Sequence, residues 1–137
     1  MRKKDRMYET QYYKYVNLNP KGKIGGDCVI RAIANALDQS WEQTVRELTE
    51  LGLKMGFICN DKHTYYKYLK LKGFVECAEP RNYDNTKMTV RAFLTYNNEG
   101  TIIANVGTYH VTCFKNNKVE DIWDCSKETM HKYWRKA

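Results

Sequence analysis

"YHVTCFKNNKVEDIWD", residues 109–124, reads as two strands folded back on each other. Asn116-Asn117 is the pivot, because asparagine tolerates the positive φ that a two-residue hairpin turn demands. "TIIANV", residues 101–106, is a buried-type strand just upstream, so the last third of the chain is an antiparallel sheet. With that turn His110 stands opposite Trp123, and Asp121 shares the face of His110 while Asp124 falls nominally on the other. A bulge or a three-residue turn would switch the parity to Asp124. Asp124 ends the strand and is followed closely by the small, polar Ser126, which suits an acid resting on an imidazole.

Upstream of the sheet the signals are helical. Asp27 is the expected N-cap of a helix with Ile30, Ile33, Ala34 and Leu37 as its apolar stripe. Ser40 with Gln43 reads as a capping box, and Trp41, Val45, Leu48 and Gly52 line the helix behind it. Asn60 or Asp61 caps a third helix that runs through Tyr65, Tyr66 and Leu69 to Gly73. "GFVECAEP" is a short strand stopped at Pro80, and "NYDNTK" is loop. Thr89 opens a short helix ended by Asn97, Asn98 and Gly100. "YYKYVNL" near the start is a short strand, and Asn19-Pro20 with Gly22 is a turn. Helices first and antiparallel strands last predict an α+β fold, with N-terminal helices packed on a C-terminal sheet.

The 137 residues suit one domain, with residues 24–126 as its core. No apolar run approaches the ~20 residues of a membrane span, and "MRKKDRMYE" lacks the apolar stretch of a secretory signal, so no membrane partner is expected. Five cysteines without a CxxC support neither a disulfide scaffold nor a zinc finger, and point to reduced thiols in a cytoplasmic setting. No cofactor is called for. The net charge of +7 sits at the ends: residues 1–23 hold seven Lys/Arg against Asp5 and Glu9, and residues 127–137 hold four against Glu128. Basic ends with interleaved Tyr and Trp suit a nucleic-acid contact, although a solvated, solubilising fringe is the favoured reading.

Cys28 occupies the first turn of its helix, about 160° from the apolar stripe and beside Arg31, Ala32 and Asn35. There the free backbone N–H groups and the helix dipole stabilise a thiolate. Gly25-Gly26 would let a substrate backbone approach, whereas the charge of Asp27 works against the thiolate. A thiol nucleophile needs a base and a group to orient it. His63 and His131 sit in Lys-rich surroundings and read as exposed; His110, one hairpin away from Asp121 and Asp124, is the candidate base. A metal site from Cys113, Cys125 and His110 fits no established ligand spacing, and none is expected.

With these residues in view the chain resembles papain-like cysteine peptidases, above all small phage and bacterial members. These read "DC-hydrophobic-hydrophobic-R-A" near the start and "H-V…turn…D-x-W-D-[SC]" near the end. Here the motifs are "GDCVIRAIANAL" and "GTYHVTCFKNNKVEDIWDCS", with "TVRAFLTYNNEGTIIANV" between them. The resemblance covers roughly residues 24–126. It implies a nucleophile helix packed against a sheet that carries the base, with Cys28 as nucleophile and His110 as general base. Asp124 matches the orienting acid of bacteriocin-processing and deubiquitinating relatives; Asp121 is the rival, because Asp121-Ile122-Trp123 echoes the Asn-Ser-Trp of papain. The Gln or Asn that usually precedes the cysteine and helps form the oxyanion hole is missing, and Asn19 is the nearest substitute.

The expected function is therefore a cysteine hydrolase acting on a peptide, isopeptide or other amide bond of a protein or peptide substrate. The alternative is a catalytically degenerate module of the same fold that binds a protein or nucleic-acid partner. Specificity is expected in residues 53–88, and the resemblance points to the cytoplasm of a bacterium or of a phage-infected host.

Overall fold

The computed structural model describes residues 8–97 and 100–136. Its elements in chain order are β1 (Tyr13–Tyr15), α1 (Cys28–Leu37), α2 (Trp41–Met55), α3 (Lys62–Leu71), β2 (Phe74–Cys77), α4 (Val90–Tyr96), β3 (Ile102–Val106), β4 (His110–Lys115), β5 (Lys118–Asp121) and β6 (Met130–Lys136). The six strands form one sheet in the order β1-β5-β4-β3-β6-β2. All neighbours are antiparallel except β1, which runs parallel to β5. The fold is thus α+β, with a mixed sheet rather than a purely antiparallel one.

Alternation along the strands sorts the core into two layers. Ile103, Val111, Cys113 and Trp134 face α1, α2 and α3, packing with Ile33, Leu48, Tyr65 and Leu69. Ile102, Ala104, Val106, Phe114 and Val119 face the other way, toward Tyr13 and the α4 residues Val90, Phe93 and Leu94.

Local chemistry explains where the helices begin. Ser40, Asp61 and Thr89 each accept a bond from a first-turn backbone N–H: that of Gln43, His63 and Ala92 respectively. The Ser40 box is half made, because the Gln43 amide turns to Glu47 instead. Asp27 departs from expectation. It occupies the N-cap position of α1, but its side chain caps no backbone group. Its carboxylate accepts from Asn19 Nδ2 and Trp41 Nε1 and pairs with Arg31 one turn on.

The hairpin turn forms as the asparagines dictate. Asn116 and Asn117 have φ of 54° and 64°, and Lys115 pairs with Lys118 in unbroken register.

The basic C-terminal segment is not a fringe. Residues 130–136 are β6, between β3 and β2, with Met130 and Trp134 buried. Residues 13–15 likewise join the sheet edge, and Tyr13 is fully buried. The run "MRKKDRM", where a nucleic-acid contact was considered, lies outside the described residues. Among the described residues no helix is long and apolar enough to cross a membrane.

Candidate active site

α1 is buried on nearly every side, including the polar face of Arg31, Ala32 and Asn35 that the periodicity sets apart from the core stripe. That face packs toward β4 and β5 and is satisfied there: Asn35 Nδ2 donates to Glu120 Oε1 at 2.9 Å, and Lys115 Nζ donates to Asn35 O at 2.8 Å and pairs with Asp38. These bonds orient α1 across the hairpin, and its first turn delivers Cys28 to the start of β4.

Cys28 is half-buried and hydrogen-bonded to the His110 ring and to the backbone N–H of Val111. Burial alone raises a thiol pKa, but these two bonds and the charges of His110 and Arg31 outweigh it and hold Cys28 below its ordinary value. His110 Nε2 lies 2.6 Å from Asp121 Oδ2, which leaves Nδ1 for the sulfur. Burial lowers the pKa of the ring, but the bonds and charges of Asp121 and Cys28 prevail and lift it to about 9. Opposite shifts in the two partners favour the thiolate–imidazolium pair.

Asp121 is held from four sides. Oδ2 accepts from His110 and, at 2.7 Å, from Thr112 Oγ1; Oδ1 accepts from Ile122 N at 2.7 Å and lies 3.8 Å from Arg31 Nη2. Its own backbone carbonyl accepts from the Tyr13 hydroxyl at 2.9 Å. Trp123 covers the imidazole edge to face, with ring centroids 5.0 Å apart.

The structure overturns Asp124 as the acid on His110. Its Oδ2 accepts from the Tyr8 hydroxyl at 2.6 Å and its Oδ1 from Ser126 N at 3.1 Å. The reason is the unbulged two-residue turn: with Lys115 opposite Lys118, period-2 parity leaves Asp121 on the face of His110. Asn19 is also not placed as an oxyanion donor. Its Nδ2 donates to Asp27 and its Oδ1 accepts from Lys21 N, both within the turn before the helix. Because Asp27 does not cap α1, the first backbone N–H groups of that helix have no side-chain cap and are the donors closest in sequence to the sulfur.

His131 is not an exposed tail histidine. Its ring meets Glu79 Oε1 at 2.9 Å and Gly107 O at 2.8 Å. His63 is exposed, bonded to Asp61 and stacked on Phe57. Cys113 faces the α1–α3 layer and Cys125 the α4 layer, so the two do not converge. His110, Asp121 and Cys125 do place one donor atom each within 4.8 Å of one another. Burial pushes the Cys125 thiol well above its ordinary pKa, so it stays protonated, and both Asp121 oxygens are already engaged. That chemistry fits a hydrogen-bonded support for the imidazole better than a metal centre.

Two clefts meet at Cys28 and His110. One, of about 460 Å³, is lined by Ile24, Gly25, Gly26, Arg31, Ile122 and Trp123. The other, of about 610 Å³, is lined by Asn60, Lys62, Tyr65, Tyr66, Asn105, the Gly107–Tyr109 turn and His131. Only the Asn60–Tyr66 part of that wall falls in the span where specificity was expected.

Sequence reasoning missed Arg31, Thr112 and Asn105. Arg31 was signalled by its i+4 spacing from Asp27, and Thr112 by its position opposite Asp121 in the hairpin register. Asn105 had no signal, because its role depends on a tyrosine forty residues away. Comparison of the chain with protein-family models, with curated proteins and with solved structures finds no match in any of the three.

Proposed function

We propose that the protein is a cysteine hydrolase of the papain-like kind, acting on an amide bond of a peptide or protein. The observation that carries this reading is the continuous chain Cys28–His110–Asp121, set at a helix N-terminus where two clefts meet. The Cys28 thiolate attacks the scissile carbonyl carbon, and the oxyanion is received by first-turn backbone N–H groups of α1. His110 imidazolium gives its proton to the leaving nitrogen as the C–N bond breaks, leaving a thioester. Neutral His110 then takes a proton from water, whose oxygen attacks the thioester, and the acid product leaves as the ion pair is restored. Asp121 keeps Nε2 engaged, so that Nδ1 faces the sulfur throughout.

The rate of iodoacetamide alkylation against pH tests this. Cys28 is expected to titrate below the ~8.5 of a free thiol, and His110→Ala to return it there. An ordinary thiol titration that ignores His110→Ala overturns the proposal.

The tied amide of Asn19 favours a second reading, a binding module that retains the cleft without turnover. Partner binding that survives Cys28→Ala, with no hydrolysis by the wild type, selects that reading.

A further inference from the structure

The larger cleft has a chemical polarity that the hydrolase reading does not use. Its walls are aromatic: Tyr65, Tyr66 and Tyr109, the last 99% exposed and held at a φ of 60° in the turn before His110. Among the described residues no carboxylate lines it directly; Glu79 stands behind the lining His131, to which it is bonded. Asn105 lies on β3 opposite Val111, whose N–H reaches the Cys28 sulfur, and on the sheet face that carries Ile103 toward α1. The Tyr65 hydroxyl lies 3.3 Å from Asn105 Oδ1 and ties the amide to the tyrosine wall. Asn105 is half-buried in the cleft, and beyond the Tyr65 hydroxyl its amide has no hydrogen-bond partner among the described residues. Lys62, exposed and without an ion pair among the described residues, adds a positive charge to the same cleft.

We infer that this cleft is a specificity pocket for a carboxylate-bearing side chain, glutamate or aspartate, near the scissile bond of the substrate. Asn105 Nδ2 and Lys62 Nζ are its donors, and the inference rests on the cysteine-hydrolase reading. A carboxylate here accepts from an Asn105 amide N–H and meets a cation, while the tyrosine rings flank its aliphatic stem. An apolar side chain would cover the half-buried amide and leave it unpaired, which is how a hydrogen-bonding site rejects an analogue that lacks the acceptor. A lysine or arginine side chain would face Lys62 with no acid to receive it.

A positional-scanning mixture of internally quenched octapeptides tests the assignment. One position near the cut is expected to prefer Glu or Asp over Leu by about tenfold or more in kcat/KM, the scale of a hydrogen bond to a charged group. Asn105→Ala should erase most of that ratio. Lys62→Glu, an exposed change that the fold tolerates, should lower the Glu-over-Lys ratio about fivefold, as expected for a partly solvated charge pair. Cleavage without acid preference at any position overturns the assignment, as does a preference that both variants leave intact. Failure to cleave any member also overturns it; whether the hydrolase reading falls with it is read separately, from the pH titration of the Cys28 thiol.

Discussion

At the scale of single residues, the third member of the site is decided by one turn. A two-residue loop at Asn116-Asn117 with positive φ at both positions allows no slip, so Asp121 rather than Asp124 reaches His110. That parity was legible in the sequence. The preference for Asp124 came from its strand-end position and its resemblance to other families, neither of which sees the register. The consequence can be measured. Asp121 holds the His110 ring protonated to about pH 9, and the imidazolium in turn lowers the pKa of Cys28. Asp121→Asn removes the negative charge, so the His110 pKa falls toward the ordinary ~6.5 and that of Cys28 rises. At pH 8 the thiolate fraction therefore drops, and the iodoacetamide profile moves to higher pH. Asp124→Asn should leave both titrations in place, since it loses only bonds to Tyr8 and Ser126. NMR titration of the imidazole in the two variants distinguishes the acids. Equal shifts in both would contradict the role assigned to Asp121.

At the scale of elements, helix starts and strand identities were read correctly where capping chemistry and periodicity are local, as at Ser40, Thr89 and the hairpin. α1 also begins where Asp27 marks it, but the Asp27 side chain makes no capping bond, because it is engaged by Asn19, by Trp41 and by a buried arginine. Arg31 lies between the carboxylates of Asp27 and Asp121, is itself 7% exposed, and has a buried Nε without a partner. Breaking a buried ion pair from one side costs roughly 3–5 kcal/mol, because the remaining charge stays buried. Arg31→Ala leaves the buried Asp27 carboxylate without its cation, while Asp121 keeps His110, so a loss of about that order in denaturant unfolding is expected. The surviving folded protein should show a higher Cys28 pKa, because the Arg31 charge helps to lower it. A well-folded, fully stable Arg31→Ala protein would mean that Asp27 reaches water, against its 6% exposure. Gly52 of α2 marks a second local constraint. A Cβ there collides with the Phe57 carbonyl oxygen, backbone that cannot swing aside. The apolar stripe of α2 showed only that Gly52 lies on the buried face; that it must be glycine follows from the returning chain at Gly56-Phe57, whose N–H groups both bond to Gly52 O.

At the scale of the whole molecule, the sheet is wider than the alternating segments suggested, because one of its strands, β6, is built from basic sequence. "MHKYWRK" shows no clean period of two, and its charges disguise a strand. The side chains resolve the conflict by sending their cations along the surface: Lys132 lies over the Tyr66 ring, Arg135 over Tyr133 and Lys136 over Phe74. Long cationic stems can cover aromatic surface while their heads stay in water, so positive charge and sheet membership are compatible. The register with β3 also shifts between Ala104 and Val106, which breaks the alternation that a sequence reader looks for. Trp134 is where this strand reaches the site. It is 2% exposed and packs on Tyr65 and Tyr66, ring centroids 5.9 and 4.8 Å away, the two tyrosines that wall the larger cleft. A solubilising fringe and a core strand make opposite predictions for it. Trp134→Ala is expected to lose about 3–5 kcal/mol in urea unfolding, the range for deleting a buried aromatic ring. In the protein that remains folded, Tyr65 loses its packing support and with it the aim of Asn105. Lys136→Ala, two residues on and exposed, should change stability by no more than about 0.5 kcal/mol, as ordinary surface substitutions do. Near-neutral effects in both variants would return the C-terminal segment to a fringe. A large loss confined to Trp134 ties this basic strand to the wall of the larger cleft.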